Sequence, residues 1–150
     1  MTPPGGTTRR ERARTVGEHL TLLLVESDPA RTAHLLPALR SSFGRVLEAQ
    51  SGEVALYVCS HHAVDVVLTT TALPGMDAIQ LCAELRGRRG PPVVVFLETS
   101  ASAARAAWLE GGGSGCVERG AEPREIAARC AAIVRRTQHP STRPARRGGA

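Results

Sequence analysis

Three apolar runs, each the length of one strand and each closed by a turn, constrain this chain more than any other feature: LTLLLVE at Leu20–Glu26, VDVVLT at Val64–Thr69 and VVVFL at Val93–Leu97. A strand that is apolar at consecutive positions has both faces buried, the condition of a parallel sheet covered by helices on each side. The stretches between the runs read as those helices.

After the first run, Asp28 is placed to cap a helix that has Pro29 at its first position, runs to about Ser41 and turns Leu35, Leu36 and Leu39 inward. Gly44 breaks it. A short second strand, Arg45–Ala49, leads through Gln50, Ser51 and Gly52 into a helix from Glu53 to about Ser60, with Val54, Ala55 and Val58 toward the sheet. The third helix starts after Gly75, capped by Asp77 or the turn before it, and carries Ile79, Cys82 and Leu85 at spacings of three. Pro91 and Pro92 introduce the fourth strand. Ser100 or Ser102 can cap the next helix, which reaches Glu110 and stops at Gly111, Gly112 and Gly113. Cys116 and Val117 centre a fifth strand. Pro123 opens a last helix striped by Ile126, Cys130, Ile133 and Val134.

Five strand-then-helix units with short connections predict an α/β fold: a doubly wound, five-stranded parallel sheet with helices on both faces. With 150 residues, the chain has material for one core. A single domain over 16–137 is expected, between a disordered basic arm at 1–15 and a disordered basic tail at 138–150.

Charge supports this division. Between Val16 and Val134 there are 10 arginines and 13 acids, a net of −3, whereas the flanks carry 9 arginines and only Glu11, a net of +8. The basic character therefore belongs to the ends, where it can add salt-sensitive phosphate contact but no sequence reading. No membrane span or cleavable leader is indicated, because Gly17, Glu18 and His19 interrupt the apolar run behind the first arginines. A cytoplasmic protein is expected. Cys59, Cys82, Cys116 and Cys130 lack paired spacing and read as free thiols among aliphatics.

Ligands of such sheets bind at the C-terminal ends of the strands, so the chemistry rests with Glu26–Asp28, Thr69–Thr71, Leu97–Thr99 and Glu118–Gly120. Only one or two anionic groups can meet there, which argues against a Mg²⁺ site; no cofactor is expected. Thr70 is a poor nucleophile without an adjacent base, and His19, His34, His61, His62 and His139 all lie elsewhere. Its hydroxyl is expected to bond the turn or the backbone. Arg119 can hold Glu26 in a fork-like pair, bind a small anion or face water; the internal pair is preferred. No nucleophile, base and oxyanion donor can be named together, so no enzyme is expected. GGGSG at Gly111–Gly115 follows a helix and has no lysine behind it, unlike a phosphate-cradling loop.

The segments LLLVESDPARTAHL, VDVVLTTTALPGMDAIQLCAELR, PPVVVFLETSA and LEGGGSGCVERGAEPREIAARCAAIVRR resemble the receiver domain of bacterial two-component response regulators over roughly Leu20–Arg136. The resemblance implies a flavodoxin-like fold. It places Glu26 and Ser27 at the paired acidic positions, Thr70 at the phosphoacceptor aspartate, Leu97 at the hydroxyl residue and Arg119 at the lysine. Gly120 falls at the proline that follows, Cys116 at the aromatic switch and Ala78 at the glycine after the LPGMD turn. These departures imply a degenerate receiver that signals by protein contact without phosphorylation.

The face implied for that contact combines the fourth helix, fifth strand and fifth helix, through Arg105, Trp108, Cys116, Arg124, Ile126 and Arg129. Trp108 is equally readable as an interface anchor or as a residue packed over the sheet. Expected partners are a second copy, a kinase, another regulator or a transcription factor. Two alternatives stand beside this reading: a sensor of a small molecule or anion in the altered cleft, and accessory nucleic-acid binding by the arginine-rich arms.

Overall fold

The computed structural model describes residues 19–97 and 102–138. Strand and helix alternate throughout: β1 (Thr21–Val25), α1 (Pro29–Ser42), β2 (Arg45–Ala49), α2 (Gly52–His61), β3 (Val66–Thr69), α3 (Ala78–Gly87), β4 (Val93–Leu97), α4 (Ser102–Glu110), β5 (Gly115–Glu118) and α5 (Pro123–Gln138). The five strands form one parallel sheet in the order β2-β1-β3-β4-β5. This is the predicted α/β architecture. Strand order reverses on either side of β1, which opens a crevice beyond the C-terminal ends of β1 and β3.

Alternation within each strand divides the core into two layers. Leu22 and Leu24 of β1, with Val66, Leu68, Val94 and Phe96, meet Leu35 and Leu39 of α1 and Ile126, Cys130 and Val134 of α5. Leu23 and Val25, with Val67, Val93 and Val95, meet Ala55 and Leu56 of α2, Leu81 and Leu85 of α3, and Trp108 of α4. Both layers need aliphatics, so the strands cannot alternate polar with apolar. Each fully buried Leu or Val contributes about 1.5–3 kcal/mol relative to exposure.

Local signals set the helix ends. Asp28 caps α1 by accepting the Ala30 N–H at 3.0 Å, with Pro29 at the first position. Asp77 and Gln80 form a reciprocal capping box on α3: the Asp77 carboxylate accepts the Gln80 N–H at 2.8 Å, and the Gln80 side chain accepts the Asp77 N–H at 2.9 Å. That cap fixes the phase of the helix, so Ala78, Leu81, Cys82 and Leu85 face inward and Ile79 stays 46% exposed. On α2 the buried residues are Gly52, Ala55 and Leu56, while Val54 is 45% exposed. Both Ile79 and Val54 were expected to face the sheet. In short helices rich in Ala, Val and Leu, two adjacent stripes fit the periodicity equally well, and the cap chooses between them.

Ser102 is the first residue of α4, and Ser100 lies outside the described residues. The expected basic arms also lie outside them, except Gln138, which is the last residue of α5. Among the described residues, no helix is long and apolar enough to cross a membrane.

Candidate functional site

At the C-terminal rim of the sheet, β1 delivers Glu26 and β3 delivers Thr70. Glu26 is buried, its side chain 2% exposed, and its backbone N–H is donated to Ala49 O at 2.9 Å, which ties the end of β1 to β2. One carboxylate oxygen, Oε2, accepts the Asp28 N–H at 3.0 Å. The other, Oε1, has no hydrogen-bond partner and lies 3.9 Å from the Arg119 guanidinium. A buried carboxylate is costly unless compensated, and Arg119 supplies the compensating charge. Arg119 follows β5, where its N–H is donated to Leu97 O at 2.9 Å, and its guanidinium lies over the Phe96 ring, 5.0 Å from the centroid. The predicted Glu26–Arg119 pair is thus present as an ion pair, without a fork-like hydrogen bond. Its stacking on Phe96 was not foreseen, although the apolar run of β4 carried the signal.

Thr70 is 4% exposed. Its N–H is donated to Val25 O at 3.4 Å and its hydroxyl to Ala72 O at 3.3 Å, so the side chain bonds to the backbone of the turn as expected. Thr69 is also buried and donates its hydroxyl to Thr70 O at 2.9 Å. The turn that follows closes by Met76 N–H donating to Pro74 O at 2.9 Å, with Gly75 at φ +81°. Met76 then packs onto the start of α2, where a Cβ at Gly52 would come within 3.0 Å of its sulfur. Glycine in the QSG turn lets Met76 pack this closely, since a Cβ there would push its side chain back by a few tenths of an ångström, a contact which no local sequence signal announces.

Ser27 is exposed, and Asp28, occupied as the α1 cap, is also 3.6 Å from Arg31. Among the described residues, no three His, Cys, Asp or Glu side chains group to hold a metal ion. Leu97 is buried at the end of β4, and its side chain brings no hydrogen-bonding group.

The residues expected on the neighbouring face divide. Arg105 of α4 and Arg124 and Arg129 of α5 are exposed, and Cys116 of β5 is half-buried. A cavity of about 280 Å³ is lined by Arg105, Cys116 and Arg129 together with Glu118, Glu125 and Ile126; Arg124 does not line it. Trp108, by contrast, belongs to the core and presents no anchor to solvent, and Ile126, 1% exposed, reaches only the wall of the cavity. Trp108 is 3% exposed, and its indole Nε1–H is donated to Gly115 O at 2.6 Å. Ile126 is enclosed in the α1–α5 layer. The glycine run is the counterpart of that tryptophan. A Cβ at Gly113 would collide with the indole, and one at Gly112, where φ is +102°, would collide with the Arg86 guanidinium.

Burial pushes the thiol pKa of Cys130 up to about 12 and that of Cys59 up to about 11, the latter opposed by nearby Arg88. Burial also raises Cys82, against the opposing charge of Arg86. All four cysteines are free.

Comparison with known proteins gives one consistent result. Residues 22–131 match the family described as the response regulator receiver domain. The transcriptional regulatory protein ResD of Bacillus subtilis is 28% identical over 122 residues, covering 81% of this chain and 51% of ResD. The DNA-binding response regulator MtrA of Mycolicibacterium smegmatis is 30% identical over 117 residues, covering 78% of this chain and 51% of MtrA. The chain therefore spans about half the length of these curated relatives. Among solved structures, the signal receiver domain of the response regulator NarL from Mycobacterium tuberculosis aligns with a TM-score of 0.72 at 25% identity, covering 79% of this chain and 98% of that domain. A response regulator from Chloroflexus aurantiacus aligns at 0.71 and 29% identity, covering 79% of this chain and 99% of that one.

Proposed function

Because the chain belongs to the response regulator receiver domain family, we propose that it performs a receiver's signalling role through protein contact alone, without accepting a phosphoryl group. The cleft carries this reading. Where the family places its phosphoacceptor aspartate, Thr70 is buried with its hydroxyl donated to Ala72 O, and the Arg119 guanidinium lies 3.9 Å from the buried Glu26. A hydroxyl without a neighbouring base is a weak nucleophile, and Glu26 is itself engaged by the Asp28 N–H and Arg119.

The donor set does not fit Mg²⁺ either. That ion asks for near-octahedral oxygen ligands and more than one close carboxylate. Here Glu26 has a guanidinium beside it, Ser27 is exposed, and Asp28 is spent on capping and on Arg31. On this reading Glu26, Ser27, Thr70, Leu97 and Arg119 are the altered remains of a phosphorylation site. Contact is then made through Arg105, Cys116 and Arg129, which line one cavity, and through the exposed Arg124. The partner is a second copy, a kinase, another regulator or a transcription factor.

Incubation with a small-molecule phosphodonor and Mg²⁺, followed by intact mass spectrometry, tests the first half of the proposal. The expected result is unmodified protein; a stoichiometric, hydroxylamine-labile phosphoryl adduct overturns it. For the second half, R105E/R129E is expected to abolish self-association or partner capture that T70A leaves intact.

A further inference from the structure

The rim opposite Glu26 and Thr70 holds a second concavity. It is a groove of about 530 Å³ between the C-terminal ends of α2 and α3, closed on one side by the β3 and β4 approaches and reached by Thr137 at the end of α5. That volume falls within the roughly 300–1,000 Å³ of small-molecule sites. Leu56, Val64 and Leu85 give it an apolar lining, and Pro91 and Pro92 line it without any N–H to satisfy.

Its charged groups are not balanced. The Asp65 carboxylate already accepts the Thr21 N–H at 2.8 Å. His62 is engaged through Nδ1 with the Arg45 guanidinium at 3.0 Å. Two of the final carbonyls of α3 are taken up as well: Gly90 N–H is donated to Leu85 O at 2.7 Å, and Arg89 N–H to Arg86 O at 3.1 Å. On the cationic side, Arg88 pairs with Glu84 at 3.3 Å, but the Arg89 side chain makes no ion pair or hydrogen bond among the described residues.

Arg89 also holds φ at +57°, and it is the one non-glycine residue with positive φ among the described residues. This is the left-handed position that ends a helix, where glycine is the usual occupant because a Cβ makes the conformation costly. The local sequence is GRRG, with glycine at 87 and at 90, yet arginine stands where glycine is usual. Backbone cost at a residue whose side chain lines a groove and lacks a partner points to a task for that side chain.

The chain's own continuation is a poor occupant. The sequence after α5, HPSTRPARRGGA, carries three arginines and no acid. Like charge opposes its approach to Arg88 and Arg89. We propose that the groove binds an amphiphilic organic carboxylate, its head on Arg89 and its aliphatic or aromatic body over Leu56, Val64 and Leu85.

The full chain, isotopically labelled, can be titrated with decanoate, decanol and decyltrimethylammonium below their aggregation thresholds and followed by amide NMR. Decanoate is expected to give saturable shifts confined to residues 56–65 and 85–92, with at least about tenfold tighter binding than the neutral and cationic chains. R89G should lose that preference while raising the thermal midpoint by about 2–4 °C, because glycine adopts this backbone freely. Equal binding of the three chains overturns the assignment, as do shifts centred on Glu26 and Arg119. An R89G variant that keeps the preference, or melts lower than the parent, overturns it equally.

Discussion

Replacing Trp108 by alanine tests how α4 is held to the rest of the molecule. Of the residues of this helix only Trp108 is buried, so the indole is its sole deep attachment. A buried aromatic of this size removes about 150–250 Å² from water, worth about 4–6 kcal/mol at ~25 cal/mol per Å². Tryptophan truncations in cores cost about 3–5 kcal/mol, and stripping Gly115 O of the 2.6 Å indole donor adds about 1–3 kcal/mol if that carbonyl stays dry. Detachment of α4 sets a ceiling, because a freed helix lets water reach the carbonyl. The expected loss for W108A is therefore about 3–5 kcal/mol by urea unfolding followed with far-ultraviolet dichroism. W108F, which keeps a ring but gives up the hydrogen bond, should lose about 1–2 kcal/mol. Amide exchange should show α4 losing protection well before the sheet does. A W108A loss below about 1 kcal/mol, with α4 still protected, would refute the anchoring argument.

Two further outcomes follow from buried polar chemistry. R119A leaves the Glu26 carboxylate buried without its counter-charge and is expected to cost about 2–3 kcal/mol; adding E26Q should recover about 1 kcal/mol, and strict additivity in the double-mutant cycle would show that the 3.9 Å pair carries no coupling. The Cys130 thiol, raised from an ordinary 9.0 to about 12, stays protonated in the fold while the unfolded chain ionises. Its contribution is fully present below pH 9 and declines by about 1.4 kcal/mol per pH unit above it, until the folded thiol itself titrates. Stability measured from pH 8 to 10.5 should therefore fall less steeply in C130A than in the parent. Cys59 and Cys82, raised in the same direction, leave a residual slope.

Much of the fold was legible because its strands are the least ambiguous kind. Val93–Leu97 and Arg45–Ala49 form as strands over the predicted spans, and Asp28 and Asp77 cap the helices they were expected to cap. Helix facing was less legible. The composition of α2 and α3 allows two stripes, and Val54 and Ile79 lay on the wrong one. The site divided along similar lines. Glu26, Thr70 and Arg119 could be placed at one rim because parallel topology gathers strand ends, whereas the burial of Trp108 depends on the space left by Gly113 and on the backbone carbonyl of Gly115. The groove at Arg89 had no signature at all, since it is assembled from the ends of three helices and two loops.

The chain contains one tryptophan, and it sits in the α4 socket, bonded to the first residue of β5. The native emission of the protein therefore comes from a single indole at the joint between that helix and the sheet. A partner, ligand or substitution that loosens α4 should shift the emission to longer wavelength, while one acting at the far rim should leave it unchanged. The molecule thus carries its own optical gauge of the one helix most lightly fastened to it.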